Sequence, residues 1–469
     1  MVFASLVFLY AFLPANLVLY FAWSNPVWRN WLLIVFSLFF YAWGEPVWVS
    51  LLLLSTTVDY SIGLLVERWR GTAKAKAALV GSLCVNLGLL AVFKYAGFFV
   101  ETVNQAFGTK LGAPPFTLPV GISFYTFQTI SYVVDVYRGE VKAQRSWGKF
   151  LLFVSLYHQL VAGPIVRYQT IADQIDTRRH SVDLFASGVM RFALGLFKKV
   201  AIANIAGELV AKTIGQKTLG PDFAGLSVLD GWFGLAMYTL QIYFDFSGYS
   251  DMAIGLGRMF GFHYLENFDH PYTARSVTDF WRRWHISLST FFRDYIYIPL
   301  GGRQHRPYRN LFIVWGLTGL WHGPSWNFVI WGLFYGVLIA MERLFLGALL
   351  EKLPRLVQHV WLMFVVMVGW ALFFFTDLAK LGGFFALAFG VSAASLVGPD
   401  TVQMVVTHAF WLLFAIVLCL PVERFIFPDT HVHGARVAFS RGLATVLLTL
   451  LATAMLVGKS YNPFLYYRF

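Results

Sequence analysis

Two histidines, His322 and His285, are the side chains of this chain best suited by type and setting to do chemistry. His322 lies in the run Gly-Leu-Trp-His-Gly-Pro-Ser-Trp-Asn, and the only other ionisable side chain between Leu311 and Ala340 is Tyr335. An imidazole in such apolar surroundings costs free energy unless it is paired or used, so a titratable group inside a membrane is by default a candidate functional group. This run alone leaves open a neutral histidine that is hydrogen-bonded between helices.

The residues beside His322 predict a break in the helix that carries it. An unbroken helix over residues 311–340 would extend for about 45 Å, which exceeds a hydrocarbon core of about 30 Å. Pro324 lacks a backbone N–H and disfavours helix at Gly323. At membrane depth, a broken backbone is tolerated only where it is buried in protein or faces a wet cavity. We therefore predict that His322 lies at a helix break on the wall of a cavity.

His285 belongs to the segment 279–302, the densest mixture of aromatic and basic side chains in the chain. As a single helix, this segment would present one apolar face made of Phe280, Trp284, Leu288 and Phe291. Arg282, Arg283 and Arg293 can serve an anionic membrane interface or a phosphorylated ligand, because guanidinium groups bind phosphate through two hydrogen bonds. The alternative is a juxtamembrane helix whose arginines extend to lipid headgroups.

The composition indicates a membrane protein with one embedded helical domain over residues 1–469. The chain is 58% hydrophobic and 13% charged, with a mean hydropathy of +0.63. Soluble domains carry about twice that charged fraction. Long apolar stretches predict on the order of ten to thirteen membrane-embedded helices. The clearest stretches cover residues 1–23, 31–43, 48–66, 78–100 and 361–376.

The net charge of +12 does not indicate a nucleic-acid-binding protein, because of where the basic residues lie. They cluster in short connections, at 68–76, 138–149 and 275–309, whereas the connection 101–116 contains one lysine and one acid. By the positive-inside rule, the first two clusters are cytoplasmic and the connection 101–116 is external.

The cysteines and histidines do not predict a metal site or a disulfide framework. Cys84 and Cys419 both lie in apolar runs, and the chain has neither a CxxC motif nor a Cys/His cluster. His431 and His433 have metal-like spacing, but Asp429 is the only further ligand type nearby. We therefore predict no bound metal.

Three further stretches have unusual character. Residues 184–210 contain Arg191, Lys198 and Lys199 in a largely apolar pattern, which predicts an amphipathic helix at the cytoplasmic interface. Residues 151–165 are short and end in Val-Ala-Gly-Pro-Ile, typical of a re-entrant piece. Asp245 and Asp251 lie in apolar surroundings, which is costly unless each has a partner. They can relay protons, orient a histidine or cap a re-entrant helix.

Five motifs together resemble the membrane-bound O-acyltransferase family. They cover residues 120–139, 158–168, 240–257, 267–302 and 319–332, so the core motifs extend over 120–332. Within the family, the chain most resembles the bacterial polysaccharide O-acetylation branch, which includes the alginate and cellulose acetylation subunits. The resemblance implies an all-α polytopic membrane protein, with a ring of about ten to thirteen transmembrane and re-entrant helices around a thinned centre that bears a tunnel.

The resemblance also implies roles for individual residues. His322 matches the essential histidine of the family, and His285 matches its second signature position. We expect His322 to act as general base in acyl transfer, and His285 to orient a group or to stabilise the oxyanion. Acetyl-CoA is the implied donor, and its phosphates are assigned to the three arginines, Arg282, Arg283 and Arg293.

The implied function is O-acetylation of an exopolysaccharide, alginate or cellulose, from the inner membrane. The resemblance implies that a periplasmic partner receives the acetyl group, and that it docks near the aromatic tail between Phe464 and Phe469. Arg468 departs from the usual Phe-Gln-Phe ending of this branch. The alternatives are a subunit for peptidoglycan or other envelope acylation, a transporter of lipid-linked sugars, and a scaffold subunit. The transporter predicts inverted repeats, which the sequence does not display, and the scaffold predicts silent His322 substitutions.

Overall fold

The chain folds into helices joined by short turns. The computed structural model describes all residues except 113, 115, 162, 217–218, 423–434, 459–463 and 466–469. Within those described ranges there are α-helices with short π and 3-10 turns, and no β-strand. The predicted all-α class is confirmed.

The described residues form two compact units. The first comprises Met1–Leu196 together with Tyr249–Glu266. Its helices are Leu13–Ala22, Pro26–Ala42, Val49–Arg68, Ala73–Leu90, Ala96–Phe107, Ile122–Arg138, Trp147–Ser155, Tyr157–Leu160, Tyr168–Asp176, nearly all of Val182–Phe197, and the end of Val228–Met259, with π-helical turns at Phe8–Phe12 and Ala91–Tyr95.

The second unit comprises Phe197–Gly248 and Asn267–Phe469. Its helices are Asn204–Lys212, most of Val228–Met259, Val277–Arg283, Ile286–Phe292, Pro307–His322, Trp326–Met341, Gly347–Leu350, Arg355–Phe374, Leu378–Ala388, Pro399–Thr407, Ala409–Val417 and Ala435–Leu456. Short turns are π-helical at Lys198–Ala203, Arg293–Tyr297 and Glu342–Leu346, and 3-10 at Pro271–Thr273. The prediction of one domain over residues 1–469 stays a prediction.

Five helices in the described part of the chain are long and apolar enough to cross a membrane. They are Val49–Arg68, Ala73–Phe107, Trp326–Leu350, Arg355–Phe374 and Ala438–Leu456. The pair Pro399–Thr407 and Ala409–Val417, bent by 63°, would make a sixth span if it crosses as one. Three of the five correspond to apolar stretches predicted above. The larger number of ten to thirteen embedded helices, the ring and the tunnel stay predictions.

A helical hairpin in the second unit, made of Pro307–His322 and Trp326–Met341, carries His322. Gly319 and Gly332 lie where the two helices touch, and a Cβ atom on either would come within 2.2 Å of a backbone oxygen of the other helix. Glycine is therefore required at both positions by the close approach of the backbones. The hairpin turns at residues 323–325, where Gly323 is extended and ends the first helix. The predicted break is confirmed.

Candidate active site

His322 is the last residue of the helix Pro307–His322 and is only 6% exposed. Its imidazole lies edge-to-face against Trp331 and Phe373, with ring centroids 4.9 and 5.2 Å apart. Trp321 contacts the same ring at 4.9 Å. The prediction that this histidine is at a helix break is therefore correct, and three aromatic rings fix the position of its imidazole.

His322 lines a small cavity inside the second unit. The cavity holds about 10 Å³, the room that a single water molecule needs. Its walls are formed by Ile242, Asp245, Phe246, Trp284, His322, Trp331, Trp370, Phe373 and Leu465. Most of these walls are aromatic rings, so the cavity is suited to an apolar group beside the imidazole of His322. Asp245 is the one carboxylate among the wall residues. The predicted cavity wall is confirmed.

Trp331, a wall residue of the cavity, carries a buried hydrogen-bond donor. Its side chain is fully buried, and its indole Nε1–H has no hydrogen-bond partner among the described residues. A buried donor without a partner costs free energy, of order 1–3 kcal/mol, unless a bound group accepts from it. Because Trp331 also contacts His322, this indole is suited to meet a negatively charged oxygen near the base.

The segment around His285 does not form the single helix considered for residues 279–302. Val277–Arg283 ends at Trp284, and a second helix begins at Ile286. His285 lies between them in the left-handed conformation, with φ +46° and ψ 55°. For a residue with a Cβ atom this conformation costs about 1–3 kcal/mol and persists only where the surroundings impose it. The predicted apolar residues are nevertheless buried on both sides of the break.

Asn267 holds His285 in place and determines its tautomer. The backbone N–H of Ser287 donates to Asn267 Oδ1 at 3.1 Å, which identifies that atom as the amide oxygen. His285 Nδ1 lies 3.2 Å from the same oxygen, so Nδ1 carries the proton and Nε2 carries the lone pair. Nε2 has no partner among the described residues. Burial lowers the pKa of His285, so the ring is neutral and Nε2 accepts rather than donates.

Two aromatic rings connect His285 with the cavity of His322. Trp321 contacts both imidazoles, at centroid distances of 5.9 Å to His285 and 4.9 Å to His322. Phe246 lies edge-to-face on His285 at 4.7 Å and also lines the cavity. The structure therefore brings the two predicted histidines into one aromatic cluster, but His285 is not among the residues that line the cavity.

The three arginines predicted to bind the donor differ in what they contact. Arg283 forms ion pairs with Asp279 at 3.0 Å and with Asp269 at 3.5 Å. Arg293 pairs with Asp294 at 2.6 Å, and that side-chain hydrogen bond raises the pKa of Arg293. Arg282 is exposed and has no ion pair within the described ranges. The assignment of donor phosphates to these residues stays a prediction, and Arg282 is the one whose guanidinium is not already paired with a carboxylate.

Sequence reasoning did not predict that Lys199 and Asp245 form a buried ion pair. Lys199 Nζ lies 2.6 Å from Asp245 Oδ1, and both side chains are at most 5% exposed. The Lys199 side chain is therefore enclosed by protein instead of extending to lipid headgroups, and the amphipathic surface helix predicted over 184–210 is wrong for this side chain. In the first unit Arg191 is also paired, with Asp251 at 2.7 Å. Opposite charges in separate apolar helices were the signal that could have predicted both pairs.

Leu465 is a wall residue of the cavity that the sequence did not reveal. Its backbone N–H donates to Asp245 Oδ2 at 2.8 Å, and its side chain lines the cavity. Phe464 and Leu465 are 7% and 4% exposed, so these two residues present little surface to a partner. Residues 466–469 of the predicted docking tail lie outside the described part of the chain, as do His431 and His433. The docking site and the expectation of no metal stay predictions.

A family model and several curated proteins match this chain. The model described as MBOAT, membrane-bound O-acyltransferase family, matches residues 144–379. The matched region contains both histidines, the three arginines and the helical hairpin.

Three relatives illustrate the range of similar proteins. The probable alginate O-acetylase AlgI of Azotobacter vinelandii is 38% identical over an alignment of 510 positions, which covers 100% of both chains. The protein of the same name from Pseudomonas aeruginosa is 44% identical over 387 residues, covering 80% of this chain and 72% of the relative. The peptidoglycan O-acetyltransferase of Helicobacter pylori is 34% identical over 377 residues, covering 73% of this chain and 70% of the relative.

Proposed function

Because the chain belongs to the membrane-bound O-acyltransferase family, we propose that this multi-pass membrane acyltransferase acetylates an exopolysaccharide. Its donor in this proposal is cytoplasmic acetyl-CoA, and the acetyl group crosses the inner membrane to a periplasmic partner that modifies the polymer. Alginate is the polymer we propose first, since two relatives covered over most or all of their length are named probable alginate O-acetylases. Cellulose is the second polymer that the motifs support.

The observation that carries the proposal is the position of His322. It is a buried imidazole at the end of a broken helix, on the wall of an aromatic cavity, inside the region that the family model matches. Acyl transfer to a hydroxyl needs a base within hydrogen-bond reach of that hydroxyl, and little else in this cavity can accept a proton. Asp245 is the other ionisable wall residue, and it is already paired with Lys199.

The transfer step follows from these groups. His322 takes the proton from the acceptor hydroxyl while the hydroxyl oxygen attacks the thioester carbonyl. The indole N–H of Trp331 donates to the oxygen that becomes negatively charged. When the tetrahedral intermediate collapses, the carbon–sulfur bond breaks, and the thiolate of CoA takes the proton from His322. The products are an acetyl ester and free CoA, so atoms and charge balance.

His285 has a positioning role in this mechanism. Its neutral tautomer presents a lone pair at Nε2, so it is not suited to donate a hydrogen bond to an oxyanion. It instead supports His322 through the ring of Trp321, which contacts both imidazoles. Of the two roles expected for His285, the orienting one is therefore the one we propose.

The donor and its path belong to the same proposal. The basic connections 68–76 and 138–149 mark the cytoplasmic face from which acetyl-CoA enters. The exposed guanidinium of Arg282 is the proposed contact for its phosphates. Arg283 and Arg293 are the weaker candidates, because each is already paired with a carboxylate. A ring of helices around a thinned centre with a tunnel is the arrangement that would let donor and acceptor meet at His322.

A second candidate within the same chemistry is acetylation of peptidoglycan. The 34% identity to the peptidoglycan O-acetyltransferase of H. pylori over 73% of this chain favours it. The reaction at His322 would be the same, and only the final acceptor would differ. Offering alginate, cellulose and peptidoglycan fragments in turn to the enzyme with its partner separates the polymers.

The decisive experiment supplies the purified protein with acetyl-labelled CoA, with and without the periplasmic partner. We expect label to move from CoA to the partner and then to polymer, and His322→Gln to stop this. His408→Gln is the matched control, because His408 is a part-buried histidine of the same unit whose Nδ1 contacts the carbonyl of Met404. Full transfer by the His322 variant, or none by the wild type, would contradict the proposal. Sugar movement without acyl turnover would indicate a transporter instead.

A further inference from the structure

Leu465 is the one wall residue of the His322 cavity that comes from the carboxyl-terminal part of the chain. The other walls come from Val228–Met259, the His285 segment, the helical hairpin and the helix Arg355–Phe374. Leu465 is 4% exposed, so its side chain is packed into the unit rather than lying on its surface. The size of the cavity therefore depends on where this residue is held.

A shared carboxylate holds Leu465. Asp245 Oδ2 accepts the backbone N–H of Leu465 at 2.8 Å, and Asp245 Oδ1 pairs with Lys199 Nζ at 2.6 Å. Both charged side chains are nearly fully buried, so this geometry is costly to change: breaking a buried pair by removing one partner leaves an uncompensated charge. Leu465 is therefore attached to a rigid part of the wall through its backbone, and its side chain can be altered without losing that hydrogen bond.

The cavity that results is small and apolar. It has a volume of about 10 Å³, and the rings of Phe246, Trp331 and Phe373 face it together with Leu465. These rings are packed against further aromatic side chains and do not give way easily. Ile242 and Leu465 are the two aliphatic wall residues, and Ile242 belongs to the long helix Val228–Met259. Leu465 lies outside that helix and is held through its backbone, so its side chain is the part of the wall that can be shortened without disturbing the packing of the rings.

We infer that Leu465, positioned by Asp245, limits the length of the acyl group that can be transferred at His322. This inference rests on the proposed function, because it assumes that the acyl carbonyl reaches His322. An acetyl group adds one methyl group beyond the carbonyl carbon, whereas a butyryl group adds a three-carbon chain that must take the place of the Leu465 side chain. Shortening Leu465 should therefore admit longer acyl groups.

The test compares acetyl-CoA with butyryl-CoA as donors for the full-length protein and its partner. We expect Leu465→Ala to raise kcat/KM for butyryl-CoA relative to acetyl-CoA by tenfold or more, since each methylene in an apolar pocket is worth about 10–200-fold in discrimination. Leu387→Ala is the matched control: Leu387 is fully buried in the same unit and is not a wall residue, so its donor ratio should equal that of the wild type.

A second variant removes the attachment instead of the side chain. The double substitution Lys199→Met with Asp245→Leu deletes both charges together, which avoids an unpaired buried charge. It should shift the donor ratio in the same direction as Leu465→Ala, a change that a purely structural role of the pair would not cause. Leu465→Val, which removes one methylene, should give a smaller shift of the same sign.

The outcomes separate this inference from the proposed function. Acetyl transfer by the wild type with an unchanged donor ratio in Leu465→Ala, Leu465→Val and the double variant overturns the inference alone. Absence of acetyl transfer by the wild type overturns the proposed function, and the inference with it. A shifted ratio in the leucine variants but not in Leu387→Ala supports both.

Discussion

The two histidines of the site both lie where a helix is interrupted, and the two interruptions have different physical origins. At His322 the helix simply ends: Gly323 is extended, a conformation open to any residue, and Pro324 follows it. At His285 the histidine itself adopts φ +46° between two short helices. One break places no strain on its histidine, whereas the other places the strain on the imidazole-bearing residue.

The two histidines are also held in place by different kinds of contact. His285 is held by specific hydrogen bonds: Asn267 accepts from its ring at 3.2 Å and from the backbone of Ile286 at 3.0 Å. His322 is held by the packing of aromatic rings and faces a cavity. A strained, hydrogen-bonded residue keeps one orientation, which suits a positioning group. A residue at a helix end beside a cavity can meet substrate, which suits the base.

The largest effect that would distinguish the two breaks is on catalysis. We expect His322→Gln to lower kcat for acetyl transfer by about 10²–10⁴-fold, the usual contribution of a general base. His285→Gln should lower it less, because His285 acts through Trp321 rather than on the substrate. Single-turnover transfer from labelled acetyl-CoA measures both. A His285 variant that loses as much as the His322 variant would mean that both imidazoles contact the reacting groups.

The next largest effect is on the stability of the helical hairpin that positions His322. Gly319→Ala would bring a Cβ atom within 2.2 Å of the carbonyl oxygen of Phe328, so the two helices must separate. We expect a loss of about 1–3 kcal/mol in the free energy of unfolding, together with reduced transfer. Gly316→Ala is the control on the same helix: a Cβ there meets nothing within 4 Å, and alanine is the better helix former. Thermal unfolding in detergent measures both variants.

The break at His322 could be predicted from the sequence, and the break at His285 could not. Gly323-Pro324 is a local signal, because proline excludes the helical hydrogen bond whatever surrounds it. Nothing in Trp284-His285-Ile286 disfavours helix locally. The left-handed turn there is imposed by Asn267, which lies eighteen positions earlier and contacts His285 only in the folded chain. Contacts of that kind are outside the reach of patterns along the chain.

The same limit applies to the charges. Lys199, Asp245, Arg191 and Asp251 all stand out in the sequence as ionisable groups in apolar helices. The free-energy cost of burying these charges predicts that each has a partner, but spacing along the chain does not say which acid pairs with which base. The all-α class, three of the spans and the cavity wall at His322 followed from local patterns. The pairing at Asp245 and the place of Leu465 depend on tertiary packing.

A smaller effect would distinguish the two consequences of replacing His285, which are the change in backbone strain and the loss of the imidazole. His285→Val puts a β-branched residue at φ +46° and should cost about 1–2 kcal/mol of stability. His285→Asn should cost less, because asparagine tolerates the left-handed conformation. Both variants lack the imidazole, so their transfer rates should fall alike. Equal stability of the two would show that the chain relaxes out of the strained conformation, and a higher rate in the asparagine variant would show that an amide can replace the ring.

The smallest expected effect lies in the helix that precedes the His285 break. Arg282 and Arg283 are neighbours on Val277–Arg283, but Arg283 is paired with Asp269 and Asp279 whereas Arg282 is exposed. If Arg282 contacts the donor phosphates, Arg282→Gln should raise KM for acetyl-CoA a few-fold with kcat unchanged, as loss of uniform binding does. Arg283→Gln should leave KM closer to that of the wild type, because its charge is already neutralised locally. Since a contact with phosphate is screened by salt, the difference between the two variants should shrink as ionic strength rises. Equal KM values at low salt would remove Arg282 from the donor site and leave this helix with the single task of leading the chain into the turn at His285.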